Sequence, residues 1–385
     1  MKKITYLPFM LLGLTACAWG QQTPAAEPAA APAAPAKDFT SITLDMPESL
    51  PEDVFTALGQ RAGVKFVAQN LWMQDRFQET IDVNVTDQPF WQVVRDLCVD
   101  LKLMPVNQGG MGDGKRVYLQ PAYGENQWAT QPSAISKGFL VQAMAFQRVQ
   151  SVQYASPQPP QDQASVQLMV YVDPALRIAS MRGAPKVTEA IDDAGNNLVR
   201  QPRKDGTEQS YGGGYHDRQG LMMNVQVPLQ YPEKPGKKIT SLKFNLTCRV
   251  IEEVATLTFD KLDAPSEMKA AGDLEVAVKS LKTTKGAGPG QPDQHVVTVQ
   301  VKAEDGNNIH QLLQQGKLLD AKGQAFNNNG VGGGGGGRVY TYQMMYSSNG
   351  GDDATSEAPV KWVLELPTKY RALNVPVELK DLPLP

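Results

Sequence analysis

The sequence predicts a small α+β domain with the order β-α-β-β-α-β-β, followed by an all-β region of two tandem antiparallel β-sandwich modules. Three observations carry this. Up to residue 122 the apolar positions change between alternation and spacings of three and four; beyond about residue 136 they alternate; and one turn motif occurs in both β stretches. At 385 residues, 41% hydrophobic and 20% charged, the chain has a globular composition with room for two or three domains.

Lys2 and Lys3, an apolar run from Ile4 to Leu14 and then small residues make up the three parts of an export signal. The run is too short to cross a bilayer as a helix, which takes about 20 residues. Leu14-Thr15-Ala16-Cys17 resembles the lipobox of bacterial lipoproteins. The resemblance implies that Cys17 is acylated and becomes the mature N-terminus, and Ala18 behind it implies the outer membrane, facing the periplasm. A plain secretory signal cut after Ala16-Cys17-Ala18, giving a soluble periplasmic or secreted protein, is the alternative. Residues 18–37 read as a tether: from Gln21 onward the side chains offer nothing larger than Ala or Pro to bury, and Pro24, Pro28, Pro32 and Pro35 favour extended chain. At about 3 Å per residue, such a stretch holds a domain roughly 50 Å from its anchor.

Residues 38–122 supply the α+β block. Ile42-Thr43-Leu44-Asp45 alternates as a strand, and Ser49-Leu50-Pro51-Glu52 reads as a capping box opening a helix that buries Val54, Phe55, Leu58 and Ala62 and ends at Gly63. Val64 to Ala68 and Ile81 to Val85 are strands. Asp87-Gln88-Pro89 starts a second helix with Phe90, Val93, Val94, Leu97, Cys98 and Leu101 on one face. A glycine-rich turn, Gly109 to Gly114, joins the closing strands at Leu103–Val106 and Arg116–Leu119. Ile42-Thr43-Leu44-Asp45-Met46-Pro47, Ala57-Leu58-Gly59-Gln60-Arg61-Ala62-Gly63-Val64 and Pro89-Phe90-Trp91-Gln92-Val93-Val94, in this order of elements, resemble the secretin and TonB short N-terminal domain. The resemblance implies a domain that docks envelope partners or neighbouring subunits and does no chemistry. Trp72, Met73 and Phe77, in the loop before Ile81, are the candidate partner contacts; the competing reading is that they cap the small core.

Residues 123–135 are polar and read as a linker, after which residues 136–262 and 273–385 form the two sandwiches. This remainder resembles uncharacterised bacterial envelope β-sandwich proteins. Phe139–Val149, Val166–Val172, Leu221–Leu229 and Leu242–Ile251 are strands of the first; Leu274–Leu281, Val297 to Val301, Arg338–Tyr346, Lys361–Leu366 and Leu373–Leu379 are strands of the second. Ile191-Asp192-Asp193-Ala194-Gly195-Asn196-Asn197-Leu198 matches Leu319-Asp320-Ala321-Lys322-Gly323-Gln324-Ala325-Phe326, each a hairpin turn with an Asp cap and a glycine at positive φ. Downstream, Val225-Gln226-Val227-Pro228 is matched with Leu364-Glu365-Leu366-Pro367, and Ser241-Leu242-Lys243-Phe244 with Ala372-Leu373-Asn374-Val375.

No cofactor or metal is expected. Gly332–Gly337 has no Lys and Ser/Thr partner for a phosphate and reads as a disordered hairpin tip. His216, His295 and His310 are far apart in the chain, and Asp192, Asp193 and Asp320 fall short of the 6 to 8 oxygens of a calcium site. Tyr211 to His216 reads as a solvated loop, with a flexible aromatic contact as the alternative. Net charge is −3, or −5 without Lys2 and Lys3, which argues against nucleic acid as a partner. Cys98 and Cys248 lie on apolar faces of different domains and read as buried free thiols rather than a disulfide. The closing Asn374–Pro385 segment is a last strand and a Pro-rich tail; the residues beyond 136 are too few for a receptor barrel of about 22 strands.

These readings make the chain a non-enzymatic cell-envelope protein that binds or scaffolds a protein partner from a lipid-anchored tether. An accessory subunit of a secretin or TonB-type machine is the second reading, and an envelope hydrolase with a cryptic site the third.

Overall fold

Strands dominate the structure, a computed structural model that describes residues 39–68, 70–106, 115–122, 127–151, 154, 161–181, 184–200, 220–286, 288, 291–304, 309–348 and 357–385. The export signal, Cys17, the tether, the Gly109–Gly114 turn and the loop at 211–216 lie outside the described residues.

The first elements are β1 (Ser41–Ser49), α1 (Pro51–Ala62), β2 (Lys65–Val67), β3 (Ile81–Pro89), α2 (Phe90–Asp100), β4 (Leu103–Val106) and β5 (Arg116–Pro121). β1 pairs antiparallel with β3, while β5 lies between a parallel β2 and an antiparallel β4. Both helix starts differ from the expected ones. Ser49 ends β1 and donates to the Pro47 carbonyl, and the residue before α1 is Leu50, whose carbonyl accepts Val54 N at 3.1 Å. Pro51 is the reason: its fixed φ suits the first helical position and moves Glu52 out of capping range. Asp87 likewise belongs to β3, with φ +54 and its amide donating to Thr43 Oγ1 at 3.1 Å, so α2 begins only at Phe90.

The second part runs α3 (Gln127–Thr130), β6 (Ser133–Ser136), β7 (Phe139–Ser151), β8 (Gln161–Tyr171), β9 (Ile178–Met181), β10 (Lys186–Asp192), β11 (Met222–Leu229), β12 (Lys238–Phe259), β13 (Lys269–Ala271), β14 (Leu274–Thr284), β15 (Gln294–Ala303), α4 (Ile309–Leu313), β16 (Lys317–Leu319), β17 (Asn327–Gly336), β18 (Val339–Ser347) and β19 (Lys361–Pro383). Two antiparallel sheets, β11-β8-β7-β6 and β13-β14-β15-β18-β17, are joined by a third with the order β10-β12-β19-β16, in which β12 also carries β9. The pairings repeat: β7-β8-β11 with β10-β12 corresponds to β14-β15-β18 with β16-β19. β12 and β19 pair with each other from Lys238↔Pro383 to Phe259↔Trp362, and the correspondence exchanges them.

Two cores follow from this ribbon. In the first, Phe139, Val166, Leu168 and Val227 face Leu242, Phe244 and Leu246 together with Val375, Val377 and Leu379. In the second, Val276, Val299 and Met344 face Trp362 and Leu364 together with Leu257 and Phe259. The break expected at 262–273 is therefore crossed twice, β12 carrying its last residues into the second core and β19 returning to the first. Residues 136–262 and 273–385 do not each fill their own core, because alternation shows which face of a strand is buried but not against which sheet.

At the turn motif the two copies share the same Oδ1 hydrogen-bond pattern. Asp192 Oδ1 accepts Ala194 N (3.0 Å) and Asn196 N (2.7 Å); Asp320 Oδ1 accepts Lys322 N (2.9 Å) and Gln324 N (2.8 Å). Gly195 has φ +82 and Gly323 φ +78. The downstream matches fail: Val225–Pro228 lies in β11 and Leu364–Pro367 in β19, and Leu242, opposite Ala190, occupies the place that Trp362 takes opposite Leu318. Ser241–Phe244 thus corresponds to Lys361–Leu364, not to Ala372–Val375.

The α+β block is seated on the outer face of the β11-β8-β7-β6 sheet. Leu140, Tyr171, Leu221 and Met222 share a core with Phe55, Phe90, Trp91 and Leu97. The buried Trp91 indole donates to Val172 O at 2.8 Å and its ring lies 5.0 Å from that of Tyr171. Residues 123–135 are not a linker where they are described. Trp128 of α3 is buried and donates to Tyr171 Oη at 3.0 Å, its carbonyl accepts Gln142 Nε2 at 2.6 Å, and β6 is a strand of the sheet. Asp173 latches the start of β1, accepting Thr40 N at 2.9 Å and Thr40 Oγ1 at 2.7 Å. Burial pushes its carboxyl above the usual range, against the pull of these hydrogen bonds.

Candidate partner-contact groove

α1 reaches its C-terminus at Gly63, whose φ of +64 lets the chain reverse while Val64 N returns to Gly59 O at 2.8 Å. The return brings β2 against the helix at Gly59, where an added Cβ would stand 2.5 Å from Val64 O. Phe55 on α1 and Phe66 on β2 then meet edge to face, centroids 5.0 Å apart. On this floor Trp72 stacks against Phe55, at 5.7 Å and 29°. A groove of about 350 Å³ results, lined among others by Glu52, Phe55, Gly59, Lys65, Phe66 and Trp72. β2 is the outer strand of its sheet, so the groove runs beside a sheet edge.

The three candidate contact residues separate. Met73 is 81% exposed. Trp72 is half-buried, one face on Phe55 and its edge on Phe77 at 5.6 Å and 84°. Phe77 is only 2% exposed and belongs to the core, with the Arg76 guanidinium 4.4 Å from its ring centroid; as an exposed contact it is corrected. The reason is the single turn of 3-10 helix at Asp75–Phe77, which rotates Phe77 inward beneath Trp72. Phe55, 1% exposed, is a core residue as the helix spacing predicts and forms the groove floor; Phe66 is the half-buried groove residue that the sequence does not single out, because it alternates too briefly in a three-residue strand to show which face it presents.

The thiols are both buried and free. Burial pushes Cys248 up to about 12 and Cys98 higher still, so neither offers a nucleophilic thiolate near neutral pH. His295, Asp192 and Asp320 lie in the β region; both aspartates are spent on their turns. Among the described residues, no group of three or more His, Cys, Asp or Glu is placed to hold a metal ion, and no helix is long and apolar enough to cross a membrane. No protein family, curated protein or solved structure matches the chain.

Proposed function

We propose that the chain is a non-enzymatic cell-envelope protein that binds or scaffolds a protein partner, held to the outer membrane by an acyl group on Cys17 and a tether at residues 18–37. The observation that carries the reading is Met73, fully presented beside a half-buried Trp72 whose ring is fixed by Phe55. A large apolar side chain next to a rigid aromatic at a groove is the composition of an interface centre rather than of ordinary surface. The block at 38–122 acts as a short docking domain of the secretin and TonB type, and two sandwich modules joined by the β12–β19 ribbon carry it. Within this reading, an accessory subunit of a secretin or TonB-type machine is supported by the element order of the first block, β-α-β-β-α-β-β.

The test uses point variants, because removing residues 38–122 would strip the cover from Leu140, Tyr171, Leu221 and Met222. Crosslinking mass spectrometry in intact envelopes, with a photoreactive residue in place of Met73, is expected to give an adduct with an envelope protein that Trp72→Ala abolishes. Adducts indifferent to Trp72→Ala would sink the groove as the contact. Fatty-acid labelling lost in Cys17→Ser supports the anchor; labelling unchanged, or absent from the native chain, contradicts it.

A further inference from the structure

The Trp72 groove lies lengthwise along α1. Glu52, Phe55, Thr56, Gly59, Gln60 and Gly63 line it at helical spacing, and at about 1.5 Å per residue this wall is roughly 16 Å long. The other wall is the chain returning through Val64 to Phe66, with Trp72 stacked on Phe55. Three properties of these walls restrict what fits. The apolar ground is three rings and Val64, too little for the several-turn stripe of an amphipathic helix. The amides of Gly63, Val64 and Lys65 are spent on Gln60 O, Gly59 O and Lys115 O, and β2 has only 3 residues, so an added strand meets too short a run of free amides. Charge stands at both ends: Glu52 in the first turn of α1 and Lys65 beyond its last turn are exposed, and neither forms an ion pair among the described residues.

We infer that the groove receives a proline-rich segment of the partner protein in the polyproline II conformation, about five residues long, with a basic residue at the Glu52 end and an acidic one at the Lys65 end. This rests on the reading of the Trp72 groove as the partner contact and names what fills it. A polyproline II segment has no internal hydrogen bonds and asks for no ladder of amides, and at about 3.1 Å per residue five of its residues match the wall of α1. Its pyrrolidine rings pack on flat aromatic side chains, and Trp72 and Phe66, both half-buried, flank the Phe55 ring at 5.7 and 5.0 Å. Its carbonyls take donors from the host. Gln78 Nε2 donates to the Trp72 carbonyl, while the Trp72 indole N–H has no acceptor among the described residues, and Thr56 and Gln60 are exposed along the helix wall. The stiffness of such a segment also lowers the ordering entropy lost on binding, which suits a small groove.

Titration of the full-length chain into fluorescent probe peptides tests this. The probe is two prolines, alanine and two prolines between arginine and glutamate, made in both charge orders, beside a counterpart with glycine for every proline. One charge order is expected to bind about tenfold tighter than the glycine counterpart, or more. Trp72→Ala is expected to weaken that binding about tenfold or more, and Trp72→Phe, which keeps a ring but removes the indole donor, about threefold to tenfold. Glu52→Lys combined with Lys65→Glu, both on exposed positions, is expected to reverse which charge order binds better while leaving the thermal midpoint within about 2 °C. Native affinity in Trp72→Ala, equal binding of the glycine counterpart, or a charge preference indifferent to the exchange overturns the assignment. A Met73 adduct that depends on Trp72, with no binding of either probe, also overturns it and leaves the groove as the contact for another class of partner. A dimer of the chain that the probe dissolves would show that a second copy fills the groove, and overturn the assignment likewise.

Discussion

Asp192 holds its turn with more bonds than Asp320 does, and the difference sets a graded prediction. Beyond the shared pattern, Asp192 Oδ2 accepts Gly236 N and Asn196 Nδ2, both at 2.8 Å. Burial pushes the Asp192 carboxyl up, but these hydrogen bonds outweigh it and hold the group below the usual range. Its stabilising effect is thus present above the unfolded value near 4 and lost as pH falls through the lower folded value. Asp192→Ala is expected to cost about 1–3 kcal/mol in urea denaturation, and Asp320→Ala less, since fewer buried donors lose their acceptor. His295 behaves oppositely in origin but also weakens the fold in acid. It is 3% exposed, packed on Phe326 at 4.7 Å, with Nδ1 on Thr283 Oγ1 at 3.0 Å and Nε2 without a partner among the described residues. Burial lowers its pKa despite the Asp293 charge, so the unfolded chain takes up the proton first and stability falls as pH drops below 6.5. His295→Leu is expected to flatten that part of the pH profile of the thermal midpoint; an unchanged slope would contradict it. These turns were legible because Asp and Gly at fixed spacing encode bonds within a few residues. Phe77 was not, since whether a loop aromatic faces in or out depends on a ring, Trp72, that the spacing does not locate.

At the scale of elements, the ribbon explains what alternation could and could not show. Leu242–Ile251 read as a strand, yet β12 continues to Phe259: Glu252 and Glu253 interrupt the apolar pattern at a bulge, where they meet Arg371 and Lys369 instead. β19 reads as two strands because Pro367 and the polar residues after it break the alternation; β16 pairs only at Lys361–Val363, so among the described residues Pro367 and Pro376 lie along a stretch that no strand pairs with on the side away from β12. Glycine misled in the same way, since composition says loop while β18 supplies the pairing. Deleting residues 373–385 is expected to open the first core and spare the second, seen as faster hydrogen exchange in β7 and β8 with β14 and β15 retained. Loss of protection in both cores to the same degree would contradict this division of the ribbon.

Over the whole molecule, the α+β block was legible as a set of elements, and its seat on the sheet was not. Trp91 is not on the apolar face that the spacing of the second helix predicts, and Trp128 lies in a stretch too polar to suggest a strand or a core. Their partner Tyr171 is remote in sequence, and burial pushes its hydroxyl up to about 12, so it stays a neutral hydrogen-bonding group in the interface. From the groove inward the rings of Trp72, Phe55, Phe66, Phe90, Trp91, Tyr171 and Trp128 follow one another at centroid distances of 5.0 to 6.3 Å. The Trp72 groove is therefore carried on a packed aromatic path rather than on a hinge. Trp91→Ala is expected to cost about 3–5 kcal/mol and to sensitise residues 122–136 to proteolysis.

That the α+β block and the β region are one body is tested most directly by native-state hydrogen exchange of the full-length chain compared with Trp91→Ala. The expected result is protection of α2 and of β8 at similar opening free energies in the native chain, both lowered together by the substitution. An α2 that opens well below β8 in the native chain, with β8 indifferent to Trp91→Ala, would mean that the block moves as a separate domain.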